Sequence, residues 1–242
     1  MADQLLKFYR KQVISLRHNR LTEERIRQLK IEIISAYENL VIRTYSYIRF
    51  LIMNMRILEE LEQYLPHNGT VLDVGCGFGL FSFFFALSAD ERKMIGVDIN
   101  ANRIATAKIV REKLGLDGHI DFRVSDVADY PFREPVNAIV VLDLFHHVPR
   151  QTAQRMLERF QDILQVDGVL IIKDITAKPW LKMAFTWILD KMMDFRGPLH
   201  YYTKEEMLTL VETHGFDVKT HRLIDILPYP HVMYICRKTA NE

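Results

Sequence analysis

Val71-Leu-Asp-Val-Gly-Cys-Gly-Phe-Gly79 is an apolar run that ends in three alternating glycines. The apolar part predicts a buried β-strand. Gly75, Gly77 and Gly79 predict a tight turn, because glycine takes positive φ and lets a ligand approach the backbone closely. A second apolar run, Ile95-Gly-Val-Asp98, ends in a carboxylate about 20 residues later, the spacing at which an acidic side chain can bind ribose hydroxyls. Together, the two stretches predict a site for a nucleoside-containing cofactor.

The glycine spacing and the acidic residues indicate which cofactor fits. The pattern is G-x-G-x-G, whereas dinucleotide-binding turns have G-x-G-x-x-G, and Leu80 occupies the place of the third glycine. Asp73 lies two residues before the first glycine, where its carboxylate would repel a pyrophosphate but attract an ammonium or sulfonium cation. S-adenosylmethionine (SAM) carries both cations and an adenosine ribose. SAM therefore fits better than a nicotinamide cofactor, which is the less favoured alternative.

Several segments of the chain resemble the class I SAM-dependent methyltransferases, in the order that this family has them. Val71–Gly79 resembles the first motif, and Asp98 resembles the acidic position that binds ribose. Phe122–Val127 resembles the third motif, in which an aspartate meets the adenine amino group. Asn137–His147 resembles the fourth strand with the loop that faces cofactor and substrate, and Gly168–Asp174 resembles the fifth strand. The resemblance therefore implies methyl transfer from SAM.

The same segments predict the architecture. Apolar strands are predicted near residues 70–74, 94–98, 120–124, 137–142, 168–173, 217–222 and 231–237. The first five alternate with helical segments, which favours a parallel sheet covered on both faces. The resemblance implies a Rossmann-like three-layer α/β sandwich with a seven-stranded, mostly parallel sheet whose last strand is antiparallel.

The N-terminal part of the chain is predicted to be a helical extension. Residues 1–64 contain no proline or glycine, and their apolar residues recur at helical spacing. Thr22 is a predicted N-cap, after which one helix is expected to reach about Tyr64. The predicted domains are the extension, residues 1–64, and a SAM-binding methyltransferase domain, residues 65–242, with a lid-like helical insertion at about residues 176–202.

The composition argues against several other classes of function. The chain has 242 residues, a net charge of +1 and two cysteines, Cys76 and Cys236. A near-neutral charge without a basic stripe argues against nucleic acid as a partner. There is no HExxH motif and no cysteine pair at metal-binding spacing, so no metal is expected. Neither a signal peptide nor a long uncharged apolar run is visible, and we expect a cytoplasmic protein.

Four aspartates lie at or near the ends of predicted strands, where open α/β sheets bind ligands. They are Asp73, Asp98, Asp126 and Asp143. One such aspartate is often only a turn or cap residue, but four at successive strand ends favour a cofactor site, with Asp98 on the ribose and Asp126 near the adenine. Asp73 and Asp143 either orient the cofactor's amino group or brace the amides of the turn. The other predicted cofactor contacts are Gly75, Cys76, Gly77, Gly79, Ile99 and Val127.

Two histidines are the candidates for a catalytic role. His146 and His147 follow the fourth predicted strand, and either could accept a proton from the methyl acceptor, since histidine titrates near neutrality. The alternative is that they only pack or bond to the backbone, and the sequence does not rank them. Lys173 and Asp174, at the end of the fifth strand, either line the substrate pocket or form a solvated pair.

The composition of the predicted insertion indicates what kind of acceptor the protein binds. Pro179–Phe195 holds both tryptophans and three methionines. It predicts a lid over a hydrophobic substrate, a homodimer face or a peripheral membrane contact, or else a helix buried against the extension. We expect a small hydrophobic acceptor, such as a lipid-like or aromatic compound, that is methylated on oxygen or carbon by in-line displacement. A SAM-binding regulatory protein that does not methylate is the alternative.

Overall fold

The computed structural model describes residues 21–129, 135–176, 200–222 and 231–239. The chain divides into two compact units between Tyr64 and Leu65. The described part of the first unit consists of three helices, α1 (Glu23–Ala36), α2 (Leu40–Ile52) and α3 (Met55–Glu62). Among the described residues, none of the helices combines the length and the apolar character that crossing a membrane requires.

The prediction of one continuous helix from Thr22 to about Tyr64 is wrong. Thr22 does cap α1, because its hydroxyl accepts a hydrogen bond from the Arg25 amide (3.2 Å). Asn39 and Asn54, however, each accept hydrogen bonds from two backbone amides of the helix that follows. These caps satisfy first-turn donors that a continuous helix would bond internally, so they start two new helices. The first 20 residues of the predicted helical extension lie outside the described residues.

The second unit is built on one seven-stranded sheet with the order β3-β2-β1-β4-β5-β7-β6. The strand β7 runs antiparallel to both β5 and β6, and the other described neighbours pair in parallel. This arrangement confirms the predicted fold class. The strands are β1 (Asn68–Val74), β2 (Glu91–Asp98), β3 (Ile120–Val124), β4 (Val136–Leu142), β5 (Leu164–Ile175), β6 (Phe216–Arg222) and β7 (His231–Lys238).

Four α-helices connect the described strands and pack on the sheet. They are α4 (Leu80–Leu87), α5 (Ala101–Lys113), α6 (Arg150–Ile163) and α7 (Lys204–Glu212), and a 3-10 helix spans Phe145–His147. Thr203 and Glu206 form a capping box at the start of α7. All residues of α4 except Leu87 are buried. This burial fixes the position of α4, and with it the glycine turn directly before the helix.

A buried arginine holds the other end of α4. Arg92 is fully buried in β2, and its guanidinium donates to the carbonyl oxygens of Phe85 (2.8 Å) and Pro66 (2.7 Å) and to the Ser88 hydroxyl (3.1 Å). The Phe85 carbonyl belongs to the last turn of α4, where carbonyls lack helical partners. The arginine therefore satisfies a helix end and ties it to the strand that carries Asp98.

Candidate cofactor and acceptor site

The glycine turn between β1 and α4 is anchored to β2 by its backbone. The amides of Gly75 and Cys76 both donate to the carbonyl of Val97, at 2.8 and 3.1 Å, and the amide of Gly79 donates to the carbonyl of Cys76 at 2.9 Å. The φ angles of Gly75, Gly77 and Gly79 are 74°, 56° and 84°. These values lie in the left-handed region that glycine adopts without a steric penalty, as the sequence predicted.

The three glycines differ in what surrounds them. A Cβ on Gly79 would lie 2.6 Å from the ring of Phe122, and one on Gly75 would lie 3.0 Å from Leu144. A Cβ on Gly77 would meet no atom within 4 Å. Gly75 and Gly79 are therefore needed for packing as well as for their backbone angles, whereas the backbone of Gly77 borders open space.

The carboxylate of Asp98 lies directly against this open part of the turn. One oxygen, Oδ2, accepts the amide of Gly77 at 2.9 Å, and the other, Oδ1, accepts the amide of Asn100 at 2.8 Å. Each carboxylate oxygen has two lone pairs, so both can accept further hydrogen bonds. The next residue, Ile99, exposes 76% of its surface. The structure thus brings Gly77, Asp98 and Ile99 together at the end of β2.

Asp73 lies inside β1 rather than at its end, and it is buried. The hydroxyl of Ser82 in α4 donates to its carboxylate. Burial raises the pKa of Asp73 to about 6; the hydrogen bond from Ser82 opposes the shift, and repulsion from Asp98 adds to it. Burial, with Asp73 and Asp98 nearby, also raises the pKa of the Cys76 thiol well above its usual value. The turn therefore sits in a negative field that would favour a bound cation.

The predicted adenine contacts lie in the turn after β3. Asp126 is exposed, and its Oδ1 accepts the amide of Ala128 at 2.9 Å, which is an Asx turn. The amide of Ser125 donates to the carbonyl of Asp98 at 3.1 Å, so this turn begins beside the end of β2. Val127 is buried in the core cluster of the sheet. Asp126 therefore lies at the expected edge of the sheet, whereas Val127 contributes through packing.

Asp143 forms a buried ion pair. Its carboxylate lies 2.6 Å from the ammonium of Lys173, a fully buried residue of β5, and its amide donates to the Lys173 carbonyl at 2.8 Å. Its φ of 54° is the only positive value among the described residues other than glycine. The alternative of a solvated Lys173 and Asp174 pair is wrong, because both residues are buried and each pairs with a different residue of the segment after β4.

The two histidines of the 3-10 helix occupy different environments. His146 is buried, its Nδ1 contacts the carboxylate of Asp174, and its amide donates to the same carboxylate at 3.2 Å. Tyr201 stacks on the His146 ring with the centroids 5.9 Å apart. His147 is only partly buried, and its ring centroid lies 4.0 Å from that of His146. Asp174 thus braces the 3-10 helix to β5 through His146, and His147 is the histidine that solvent reaches.

Both ends of the predicted insertion meet beside these histidines. Thr176 forms an isolated parallel bridge with Tyr202, and the amide of His200 donates to the carbonyl of His146 at 2.7 Å. Residues 177–199, including the segment Pro179–Phe195 on which the lid prediction rests, lie outside the described residues.

Two contacts that shape the site were not predicted from the sequence. The first is the hydroxyl of Ser82, although a lone hydroxyl in the apolar run Leu80–Leu87 is a readable signal, because a buried hydroxyl needs a partner. The second is the contact by which Asp174 orients His146, since the two residues are 28 positions apart. Only the three-dimensional arrangement of β4 and β5 reveals that pair.

Known proteins resemble this chain over the segment that carries the candidate site. The methyltransferase domain family matches residues 71–168, which hold the glycine turn, Asp98 and both histidines. This match supports the resemblance to the class I SAM-dependent methyltransferases that the sequence motifs indicate. The chain is 26% identical over 164 residues to sphingolipid C9-methyltransferase 1 of Gibberella zeae, covering 64% of this chain and 31% of that protein.

Two further similarities agree with this family. The chain is 40% identical over 114 residues to a ubiquinone biosynthesis O-methyltransferase of Nitrobacter winogradskyi, covering 47% of this chain and 41% of that protein. The chain therefore spans less than half the length of either curated relative. The crystal structure of magnesium protoporphyrin IX methyltransferase from Synechocystis, with bound S-adenosylhomocysteine, has the same fold, with a TM-score of 0.58 at 19% identity over 76% of this chain and 82% of that chain.

Proposed function

We propose that this methyltransferase binds SAM at the β1–β2 edge and transfers its methyl group to a small hydrophobic acceptor. The observation that carries the proposal is the contact between the Asp98 carboxylate and the Gly77 amide at 2.9 Å, beside open space at Gly77. The free lone pairs of Asp98 suit a ribose diol. The exposed side chain of Ile99 suits the face of an adenine, and Asp126 suits its amino group.

The charges at the turn support the same cofactor. Asp73 and Asp98 place two carboxylates near the glycines, and a cation bound there would favour the ionised form of Asp73. When bound, SAM supplies an electrophilic methyl group on a sulfonium, which an acceptor nucleophile takes by in-line displacement. The residues of the chain bind the cofactor and hold it in the orientation that this displacement needs, and orientation alone can lower a barrier by ~7–11 kcal/mol.

The two histidines are assigned different roles on the acceptor side. His147 is the histidine that solvent reaches, so we assign to it the acceptance of a proton from the acceptor. His146 is a positioning residue, because Asp174 bonds to both its ring and its amide and thereby fixes the 3-10 helix that carries His147. Asp143 belongs to the same scaffold through Lys173 rather than to the cofactor contacts.

Two observations support a hydrophobic acceptor that is methylated on oxygen. The relatives described above are named for sphingolipid methylation and for O-methylation in ubiquinone biosynthesis, and sphingolipids and ubiquinone are hydrophobic compounds. A partly exposed histidine in the acceptor region favours an oxygen nucleophile that must lose a proton. Methylation on oxygen is therefore our first choice, and methylation on carbon is the second.

Calorimetric titration tests the cofactor. We expect SAM and S-adenosylhomocysteine to bind and NADH not to bind. Asp98→Ala should weaken SAM binding at least tenfold, because it removes charge-assisted hydrogen bonds worth about 1.5–3 kcal/mol. Asp162→Ala is the matched control, since Asp162 is an exposed carboxylate on α6. Binding of NADH alone, or unchanged SAM affinity in Asp98→Ala, would refute the assigned site.

A second measurement separates an enzyme from a binding protein. Release of S-adenosylhomocysteine is followed with a panel of phenolic, quinol and lipid hydroxyl acceptors. Methyl transfer to one of them, lost in His147→Gln while SAM affinity stays the same, supports the proposal. SAM binding without methyl transfer to any acceptor of the panel would favour the non-methylating alternative.

A further inference from the structure

Tyr201 places an aromatic ring beside the two histidines. Its ring is nearly parallel to that of His146, with an angle of 8° between the planes and the centroids 5.9 Å apart. Carbon atoms in contact lie only about 3.5–4 Å apart, so the two rings are displaced sideways, which is a usual arrangement of stacked aromatic pairs. His146 therefore covers only part of the Tyr201 ring, and Tyr201 is partly exposed.

The backbone on both sides of Tyr201 is held in place. One residue before it, the amide of His200 donates to the carbonyl of His146 at 2.7 Å. One residue after it, Tyr202 forms a bridge with Thr176, which directly follows β5. Tyr201 is thus fixed between the 3-10 helix and the end of β5. A ring that is already ordered loses little conformational entropy when a ligand packs on it.

This part of the chain lies next to the proposed cofactor turn. Leu144, directly before the 3-10 helix, is so close to Gly75 that a Cβ on this glycine would lie 3.0 Å from the Leu144 side chain. The strands β1 and β4 are neighbours in the sheet, and open α/β sheets bind ligands beyond the carboxyl ends of their strands. An acceptor beside a cofactor at β1 would therefore lie near the ends of β4 and β5, where His147 and Tyr201 are.

The adjacent tyrosine has a different environment. Tyr202 exposes 3% of its surface and belongs to the core cluster of the sheet, and the guanidinium of Arg150 lies 4.9 Å from its ring centroid. The ring of Tyr202 is thus used for packing. Of the two tyrosines, Tyr201 is the one whose ring a ligand can reach.

We propose that Tyr201 is a specificity-determining residue that stacks on an aromatic ring of the methyl acceptor, and that the acceptor is a phenol or a related hydroxylated aromatic compound. This inference rests on the proposed function, because it concerns the acceptor of that reaction. An aromatic ring packed on Tyr201 gains a stacking energy that a saturated chain of equal apolar area does not. A phenolic hydroxyl also loses its proton far more easily than an aliphatic alcohol, which suits a histidine base.

Calorimetry with para-octylphenol and its saturated analogue, para-octylcyclohexanol, tests the proposal. Both compounds are titrated into the complex of the full chain with S-adenosylhomocysteine, which has no methyl group to transfer. We expect the phenol to bind about two- to tenfold more tightly than the saturated alcohol, as the stacking of aromatic pairs predicts. Tyr201→Leu should remove this preference, whereas Tyr201→Phe, which keeps the ring, should retain it.

Methyl transfer from SAM to para-octylphenol separates specificity from a merely structural role. Tyr201→Leu should raise KM for the phenol with little change in kcat, because the variant loses acceptor binding and keeps the base. A fall in kcat with unchanged KM would mean that Tyr201 only supports the His146 ring. That result overturns the proposal, and so does an equal loss of phenol binding in Tyr201→Phe.

Tyr202→Leu is the matched control, because it removes the adjacent ring from the core. It should lower the melting temperature and keep the preference for the phenol; if it does not fold, Tyr47→Leu replaces it, since Tyr47 is 56% exposed on α2. Unchanged affinity for S-adenosylhomocysteine shows that Tyr201→Leu is folded; if it is not, Tyr201→Met replaces it.

The binding data distinguish failure of this inference from failure of the proposed function. Equal binding of the phenol and the saturated alcohol by the unchanged protein, or binding of neither, overturns the inference. A preference for the phenol that persists in Tyr201→Leu also overturns it. Failure of S-adenosylhomocysteine to bind would refute the proposed function itself, and the inference with it.

Discussion

The amide of Gly77 donates to Oδ2 of Asp98 across 2.9 Å, which joins the open part of the glycine turn to the end of β2. This contact places a carboxylate beside a backbone segment that borders open space. The turn is held in addition by two amides on the Val97 carbonyl. In the cofactor site proposed above, residues that build the turn therefore lie next to residues assigned to the ligand.

Alanine substitutions at two glycines should separate these roles. Both glycines have positive φ, so each alanine carries a strain of roughly 1–2 kcal/mol. Gly77→Ala adds a Cβ in open space, so its free energy of unfolding should fall only by this amount. Gly79→Ala places its Cβ against Phe122, so its free energy of unfolding should fall by more. Chemical denaturation measures both. SAM affinity should fall in Gly77→Ala despite its milder loss of stability. Equal stability of the two variants would contradict the assignment.

The pKa of Asp73 makes stability depend on pH in a defined window. Its ordinary value is 3.8, and burial raises the pKa to about 6 in the folded chain. The folded state therefore keeps a proton that the unfolded state releases. The protonated Asp73 contributes fully to the free energy of unfolding below about pH 4, and this contribution is lost as pH rises through about 6. The loss is about 3 kcal/mol, because each unit of difference in pKa corresponds to 1.36 kcal/mol.

Asp73→Asn should remove this pH dependence and keep an acceptor for the Ser82 hydroxyl. The variant should be more stable than the unchanged protein at pH 7.5 and similar at pH 4, as measured by urea denaturation at both pH values. Other titrating groups cancel in the difference between the two proteins. Asp162→Asn, which changes an exposed carboxylate, should leave the pH dependence as it is. The same pH dependence in Asp73→Asn would refute the assignment.

The same carboxylate should make cofactor affinity depend on pH in the opposite direction. A bound sulfonium or ammonium favours ionised Asp73, so SAM affinity should rise several-fold as pH increases from 5 to 7.5 and level off above the pKa of about 6. Calorimetry at several pH values measures this rise. It should be absent in Asp73→Asn, whose affinity should be low at every pH. A rise that persists in the variant would assign the titration to another group.

Local signals in the sequence predicted most of the fold, and non-local pairing explains what they missed. The strands and the glycine turn are visible because apolar runs and glycines act within a few residues. The ion pair between Asp143 and Lys173 depends on the β4–β5 register, in which Leu142 is opposite Lys173. No local pattern gives that register. The breaks at Asn39 and Asn54 are different, since both caps were readable and the helical periodicity of residues 1–64 masked them.

Substitutions at the histidines should separate chemistry from positioning. His147→Gln should lower the rate of methyl transfer by about 10²–10⁴-fold, the usual contribution of an acid–base group, with little change in melting temperature or SAM affinity. His146→Gln and Asp174→Asn should lower the melting temperature as well, because both remove parts of the buried brace. Unchanged activity in His147→Gln, with activity lost in a stable His146→Gln, would reverse the two roles.

The buried pair of Lys173 and Asp143 should be important for stability and not for cofactor binding. Lys173→Met removes the ammonium that offsets a mostly buried carboxylate, and breaking such a pair from one side costs about 3–5 kcal/mol. Asp143→Asn added to Lys173→Met should recover part of this loss, because it removes the charge, and asparagine tolerates the positive φ at this position. Urea denaturation of the single and double variants measures the recovery, and SAM affinity in the double variant should stay within a few-fold of the unchanged protein. A loss below about 1 kcal/mol in Lys173→Met would mean that the pair behaves as a solvated one.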